Sequence, residues 1–98
     1  MSIFKIGDFR FVKTCDVCPE QYDVYHVDDL KTIVGYIRLR HGMFSVECPD
    51  CGGNTVFEAE VEDWGDGCFI DEEVRTAFLM LAKLYIEKWC RERVDVEE

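Results

Sequence analysis

Two pairs of cysteines with the same internal spacing are the part of this sequence best suited to chemistry. Cys15 and Cys18 form one pair with two residues between them, and Cys48 and Cys51 form another that is followed by two glycines. Two thiolates at this spacing can reach one tetrahedral ion, and glycine lets the backbone turn tightly around it. Four cysteine ligands close the coordination sphere, as in structural zinc sites. The spacing predicts one structural zinc ion per chain, bound by Cys15, Cys18, Cys48 and Cys51.

The distance between the two pairs along the chain leaves an alternative open. Twenty-nine residues separate Cys18 from Cys48, more than in a compact zinc ribbon. Pairing of the strands in that segment would have to bring the two pairs together; otherwise they are two unrelated pairs of buried thiols. Cys68 and Cys90 stand alone and are interpreted as small buried apolar residues. The histidines, His26 and His41, have no ligand spacing and are not assigned to the metal.

Length and composition predict one folded domain over residues 1–98. The chain has 98 residues, of which 48% are hydrophobic, enough for a single small core but not for two. The sequence contains no apolar run of the length that a signal peptide or a membrane span needs. Thiols stay reduced inside cells, where close cysteine pairs are typical of metal ligands rather than disulfides. We therefore expect a cytoplasmic protein.

Alternation of apolar and polar side chains predicts β-strands between about residues 9 and 62. The segments are 9–14, 22–27, 34–40, 43–48 and 55–62, joined by short turns. In the third segment Ile37 and Leu39 share one face, and in the fourth Phe44 and Val46 point inward. Successive strands with short connections predict an antiparallel meander of four or five strands, with the zinc site at one end.

The period then changes from two to that of a helix, over about residues 71–93. Asp71 is a suitable N-cap, and no glycine or proline follows before the end of the chain. Val74, Phe78 and Leu81 begin an apolar stripe that is wide enough to suggest a second contact, such as a dimer partner. Residues 94–98 are expected to fray. The predicted fold class is α+β, with one long C-terminal helix packed on the sheet.

Negative charge is concentrated in the second half of the chain. The net charge is −10, and residues 51–98 hold five Lys and Arg against thirteen Asp and Glu. Such a field repels nucleic acid and attracts basic protein surfaces. One interpretation is a solvated face, partly neutralised by Arg38 and Arg40 from a neighbouring strand; the other is a surface that binds a basic partner. The candidate partner-binding residues are the eight acids between residues 58 and 73: Glu58, Glu60, Glu62, Asp63, Asp66, Asp71, Glu72 and Glu73.

The sequence offers no catalytic pattern, and we do not expect an enzyme. Its glycine pairs match neither a phosphate-binding loop nor a dinucleotide fingerprint. No Ser or Cys stands in a nucleophile elbow. His26-Val27-Asp28 only approximates the zinc deaminase signature, which requires a glutamate two residues after the histidine.

A longer stretch resembles small zinc-containing proteins of bacterial phages and mobile elements. It covers about residues 34–90 and includes GYIRLRHGMFSVECPDCGG and VFEAEVEDWGDGCF. Among such proteins it is most similar in kind to anti-CRISPR inhibitors of the type II RNA-guided DNA nuclease. The resemblance implies a non-enzymatic inhibitor, in a bacterial host cell, that binds the nuclease and blocks loading of guide or target nucleic acid. The alternative is a structural zinc-ribbon adaptor in a host transcription or replication complex.

Overall fold

The computed structural model describes residues 3–14, 20–40, 42–50, 52–61 and 71–96. These residues form six β-strands followed by one α-helix, which confirms the predicted α+β class and the antiparallel meander. The described residues do not form the zinc site that was predicted at one end of the sheet. The strands are β1 Ile3–Ile6, β2 Phe9–Lys13, β3 Glu20–His26, β4 Asp29–Arg40, β5 Met43–Cys48 and β6 Asn54–Glu60, and the helix is α1 Glu72–Val96.

The order of the strands in the sheet is their order along the chain. Each strand pairs antiparallel with the next, from β1 at one side to β6 at the other. The expected four or five strands are therefore six, because β1 was not predicted. β1 is only four residues long, and its Ile3 is 53% exposed, so it carries little of the alternation by which longer strands are recognised.

One face of the sheet forms the core. Strand β4 turns Ile37 and Leu39 to this face, and β5 turns Phe44 and Val46 to it, as predicted; all four are at most 1% exposed. Strand β3 adds Tyr22 and Val24 by the same alternation, along with residues of other strands. Burying an apolar side chain of this size stabilises a fold by roughly 1.5–3 kcal/mol. The helix covers this face.

Helix α1 starts where the sequence predicts. The Asp71 carboxylate accepts hydrogen bonds from the backbone N–H groups of Glu73 (2.7 Å) and Val74 (3.4 Å), satisfying two donors that the first turn leaves free. The helix continues to Val96, three residues beyond the predicted end at 93. Within residues 72–92, whose side chains the structure describes, a narrow stripe of Leu79, Ala82 and Ile86 is fully buried against the sheet.

The helix lies very close to β4 at Gly35. A Cβ atom at this position would be 2.6 Å from Cδ1 of Ile86, well inside van der Waals contact. The absence of a side chain at Gly35 therefore allows Ile86 to sit directly on the strand backbone. This contact, together with aromatic contacts such as Phe44 with Phe78 (ring centroids 4.9 Å apart), fixes the helix across the sheet.

Candidate functional site

Cys48 is the one predicted zinc ligand within the described residues, and it is a core residue. It ends β5 and its side chain is 0% exposed, on the same sheet face as Val46. Burial raises the pKa of Cys48 to about 12, with a smaller electrostatic contribution from the neighbouring Cys90. The metal-free side chain is therefore a neutral thiol at physiological pH, and a metal ion would have to displace its proton.

Cys90 lies on the helix close enough to Cys48 to influence its ionisation. Cys90 is partly buried and packs against the core. Burial raises its pKa as well, and Glu87 adds to the effect. This agrees with the interpretation of Cys90 as a small apolar residue. Cys68, to which the same interpretation applies, lies outside the described residues, as do His41, Cys15, Cys18 and Cys51.

The turn between β5 and β6 follows Cys48 directly and is as tight as its glycines predict. The N–H of Gly52 donates to Oε1 of Glu47 (2.8 Å), and the N–H of Gly53 donates to the Asp50 carbonyl (2.9 Å). Gly52 has a φ of +85°, which favours glycine, and a Cβ atom at Gly53 would overlap the carbonyl oxygen of Cys48. Both glycines are needed for this turn, each for a different reason.

The described residues that flank the first cysteine pair in the sequence lie at a different place in the sheet. They are Thr14, whose N–H donates to the Gln21 carbonyl (2.9 Å), and Glu20. Glu20 is paired with Leu39, and Leu39 with Phe44, so this hairpin begins at the level of Phe44. Cys48 lies four residues further along β5, about 13 Å away at a rise of roughly 3.3 Å per residue. The two hairpins therefore leave opposite ends of the sheet.

This register places a condition on the predicted zinc site. Sulfur atoms that share one tetrahedral zinc lie within about 4 Å of one another, given Zn–S bonds of about 2.3 Å. A site made of all four cysteines therefore needs the chain of residues 15–19 to reach back across the sheet. Within the described residues, no group of three or more His, Cys, Asp or Glu side chains is placed to hold a metal ion. The four-cysteine site stays a prediction.

The predicted acidic surface divides into two parts. Glu58 and Glu60 are exposed on the outer strand β6, on the face of the sheet opposite the helix, since the adjoining Phe57 stacks on Tyr85 of the helix (ring centroids 4.7 Å apart). Asp71, Glu72 and Glu73 are exposed at the helix start, on the other side of the sheet. Glu62, Asp63 and Asp66 lie outside the described residues.

The expected partial neutralisation of the strand acids is not seen among the described residues. Glu58 pairs with Ser45, and Ser45 with Arg38, so one strand separates the carboxylate from the guanidinium. Glu60 and Arg40 are separated in the same way by Met43. Two strand spacings are about 9.6 Å, and no ion pair joins these side chains among the described residues. Glu58 and Glu60 therefore present their charge to solvent.

The acids at the helix start are partly used within the protein. Asp71 caps the helix, and Glu72 lies 3.6 Å from Nη1 of Arg75. Glu73 is exposed and only its backbone N–H is engaged in the cap. Of the eight candidate acids, Glu58, Glu60 and Glu73 are thus the described ones whose carboxylates stay available to a partner.

A buried charged group that the sequence reasoning missed lies at the start of β3. Glu20 is 0% exposed and accepts hydrogen bonds from the Tyr22 hydroxyl and from Arg75. Burial raises the pKa of Tyr22, and its bond to Glu20 adds to this; the bond to Glu20 raises the pKa of Arg75. The sequence signal for this burial was the alternation of β3, because Glu20 lies two residues before Tyr22 and therefore on the same inward face as Tyr22 and Val24.

Comparison of the chain with protein-family models, with curated proteins and with solved structures gives no match. In the part of the chain that the structure describes, no helix has both the length and the apolar character needed to cross a bilayer.

Proposed function

We propose that this protein is a non-enzymatic inhibitor that binds a basic protein surface through the acidic strand β6. The observation that supports this most directly is the exposure of Glu58 and Glu60 on the outer strand, where their neighbours on β5 are the uncharged Ser45 and Met43. The proposed target is the type II RNA-guided DNA nuclease. That nuclease holds its guide–target heteroduplex in a positively charged channel, which an acidic protein can occupy in place of nucleic acid.

The geometry of the strand suits this role. Side chains two residues apart on a strand lie about 7 Å from one another on one face, and strand pairing with β5 holds Glu58 and Glu60 rigidly. Little backbone freedom is then lost on binding. The net charge of −10 speeds the encounter with a basic partner by electrostatic steering.

The predicted zinc ion enters this proposal as a structural cofactor. Cys48 ends β5 immediately before the glycine turn and three positions from Cys51, so this pair would fix the hairpin that carries β6. A metal bound there would hold the acidic strand in place without contacting the partner. The zinc and the inhibitor proposals can be tested independently.

The test is titration of the purified nuclease–guide complex with the protein and with charge-reversed variants. We expect Glu58→Lys combined with Glu60→Lys to weaken binding by about tenfold or more, equivalent to roughly 1.4 kcal/mol. The matched control is Asp8→Lys combined with Asp28→Lys, which changes the net charge equally at exposed turns remote from β6. An equal loss in both variants would mean that net charge alone drives binding.

Absence of any binding to the nuclease would overturn the choice of target. Affinity capture from bacterial lysate then separates the alternatives: polymerase or replication subunits on the bait would support the zinc-ribbon adaptor. Circular dichroism melting curves of both double variants establish that the fold is retained, so that a lost interaction is not mistaken for unfolding.

A further inference from the structure

The face of helix α1 that points away from the sheet is strongly apolar. Met80 is 52% exposed, Leu81 40% and Leu84 54%. Val74 lies beside them toward the helix start and is 38% exposed. Tyr85 borders them, but its ring stacks on Phe57 of β6. A contiguous apolar surface of this kind, rimmed by charges, is typical of a protein–protein contact. We call Val74, Met80, Leu81 and Leu84 the outer helix face.

The spacing along this face is that of a helix–helix seam. Positions 74, 77, 81, 84, 88 and 91 follow one another at alternating steps of three and four, the pattern that places side chains between two packed helices. The first four positions hold Val74, Ala77, Leu81 and Leu84, and the last two hold Lys88 and Arg91. All six residues are exposed. The seam is thus apolar for four positions and basic at its C-terminal end.

The opposite end of the same face is acidic. Glu73 lies one position before Val74 and is exposed, as are Lys88 and Arg91. The ion pairs found on the helix, between Arg75 and Glu72 and between Lys83 and Glu87, do not use these three residues. The face therefore has Glu73 at one end and Lys88 and Arg91 at the other, where Glu92 is also exposed, with the apolar residues between them.

We propose that the outer helix face binds the same face of a second copy, with the two helices antiparallel. In this arrangement Leu81 packs against Leu84 of the second copy, twice by symmetry, and Glu73 meets Arg91 of the second copy at both ends. A parallel arrangement would instead place like charges opposite each other. The contact is isologous, as in most closed homodimers. The partner is thus a second copy of this chain, because the face is complementary to itself in both its apolar residues and its charges.

The net charge of −10 on each chain opposes association, and the geometry reduces that cost. Glu58 and Glu60 lie on the other face of the sheet, away from the contact. At physiological ionic strength the Debye length is about 8 Å, so charges at that distance from the second copy are largely screened. Among the charges close to the contact, Glu73 and Arg91 of the second copy are complementary.

The experiment is sedimentation equilibrium of the full-length chain over a range of concentrations at physiological salt. We expect a monomer–dimer equilibrium in the wild type and at least a tenfold weaker dimer in Leu84→Glu, because a buried carboxylate would face Leu81 of the second copy. The matched control is Leu30→Glu, which places the same charge at a residue that is 50% exposed on β4. We expect this control to dimerise as the wild type does.

Charge exchange tests the antiparallel direction. Glu73→Arg and Arg91→Glu should each weaken the dimer several-fold, and the two together should restore it, since each new charge then meets an opposite one. A monomer at every concentration, or a dimer that Leu84→Glu leaves intact, would overturn the proposal, and absence of rescue would overturn the direction. Neither result bears on Glu58→Lys and Glu60→Lys, so failure here is distinguishable from failure of the proposed inhibitor function.

Discussion

Arg75 in the first turn of the helix holds the fully buried carboxylate of Glu20 through two hydrogen bonds. Its Nε donates to Oε2 at 2.8 Å and its Nη2 donates to Oε1 at 3.2 Å. The two residues are 55 positions apart in the sequence, and the pair ties the start of α1 to the start of β3. A bidentate guanidinium–carboxylate contact fixes direction as well as distance.

Removing the arginine alone should be costly. Arg75→Met leaves the Glu20 charge buried without its guanidinium partner, although the Tyr22 hydroxyl still donates to it, and breaking a buried pair from one side costs about 3–5 kcal/mol. We expect urea unfolding to show a loss of that size. Arg75→Met combined with Glu20→Leu should recover most of it, because no unpaired charge remains. Equal destabilisation by the single and double variants would contradict this account.

The fold should lose stability in alkali. Burial, with the bond to Glu20, raises the pKa of Tyr22 above its usual value of 10.0. A raised folded-state pKa gives a stabilising contribution that is complete below the unfolded pKa and is lost as pH rises above it. In the metal-free protein the pKa of Cys48, raised from 9.0 to about 12, acts in the same direction from about pH 9.

Denaturant midpoints measured from pH 7 to pH 11 would detect this loss. We expect the midpoint to fall above about pH 9 in the wild type. The decline should be shallower in Tyr22→Phe, which cannot ionise there, although that variant starts from a lower stability because it lacks the hydroxyl. A parallel decline in both proteins would show that Tyr22 does not contribute.

The two glycines of the β5–β6 turn should respond differently to alanine. A Cβ at Gly53 meets backbone atoms of Cys48 and Asp50, which cannot move aside singly, whereas nothing lies within 4 Å of a Cβ at Gly52. Gly52→Ala should cost about 1–2 kcal/mol for its positive φ. Gly53→Ala should cost more and disturb the turn. Thermal unfolding of the two variants makes the comparison, and an equal cost would refute the close contact at Gly53.

Metal content tests whether zinc binds, and whether it needs all four cysteines or the second hairpin alone. Native mass spectrometry should find one zinc per chain in the wild type and none in Cys48→Ser, which should also unfold or aggregate. A Cys48→Ser variant of native stability without metal would contradict a structural role. Cys15→Ser distinguishes the ligand sets: loss of zinc supports the four-cysteine site, whereas retention supports binding at the second hairpin alone. Cys90→Ser serves as the control thiol.

The local part of the fold could be predicted from the sequence. Strand β5 was placed at Met43–Cys48 without error, because a glycine turn precedes it and its side chains alternate strictly. The helix start followed from Asp71, a capping residue ahead of a run without glycine or proline. These features depend only on neighbours in the chain, so single-sequence patterns describe them well.

Features that depend on distant partners could not be predicted. A glutamate is ordinarily predicted to be exposed, whereas Glu20 is buried with an ion pair from Arg75 on the helix and a hydrogen bond from Tyr22. Cys48 was read as a ligand from its spacing to Cys51, whereas its place in the core depends on the sheet face and on the helix above it. The distance between the two cysteine hairpins decides whether one zinc ion can bind both pairs. That distance follows from the register of several strands and not from any one segment.

The match between strand order and chain order also bears on how the protein folds. Every strand pairing joins sequence neighbours, so the sheet can grow hairpin by hairpin with small loop-closure entropy, and such local topologies fold fast. The contact of Arg75 with Glu20 instead closes a loop of more than fifty residues. We therefore expect helix docking to be a late event, with Arg75→Met mainly accelerating unfolding in chevron kinetics and leaving the folding rate nearly unchanged.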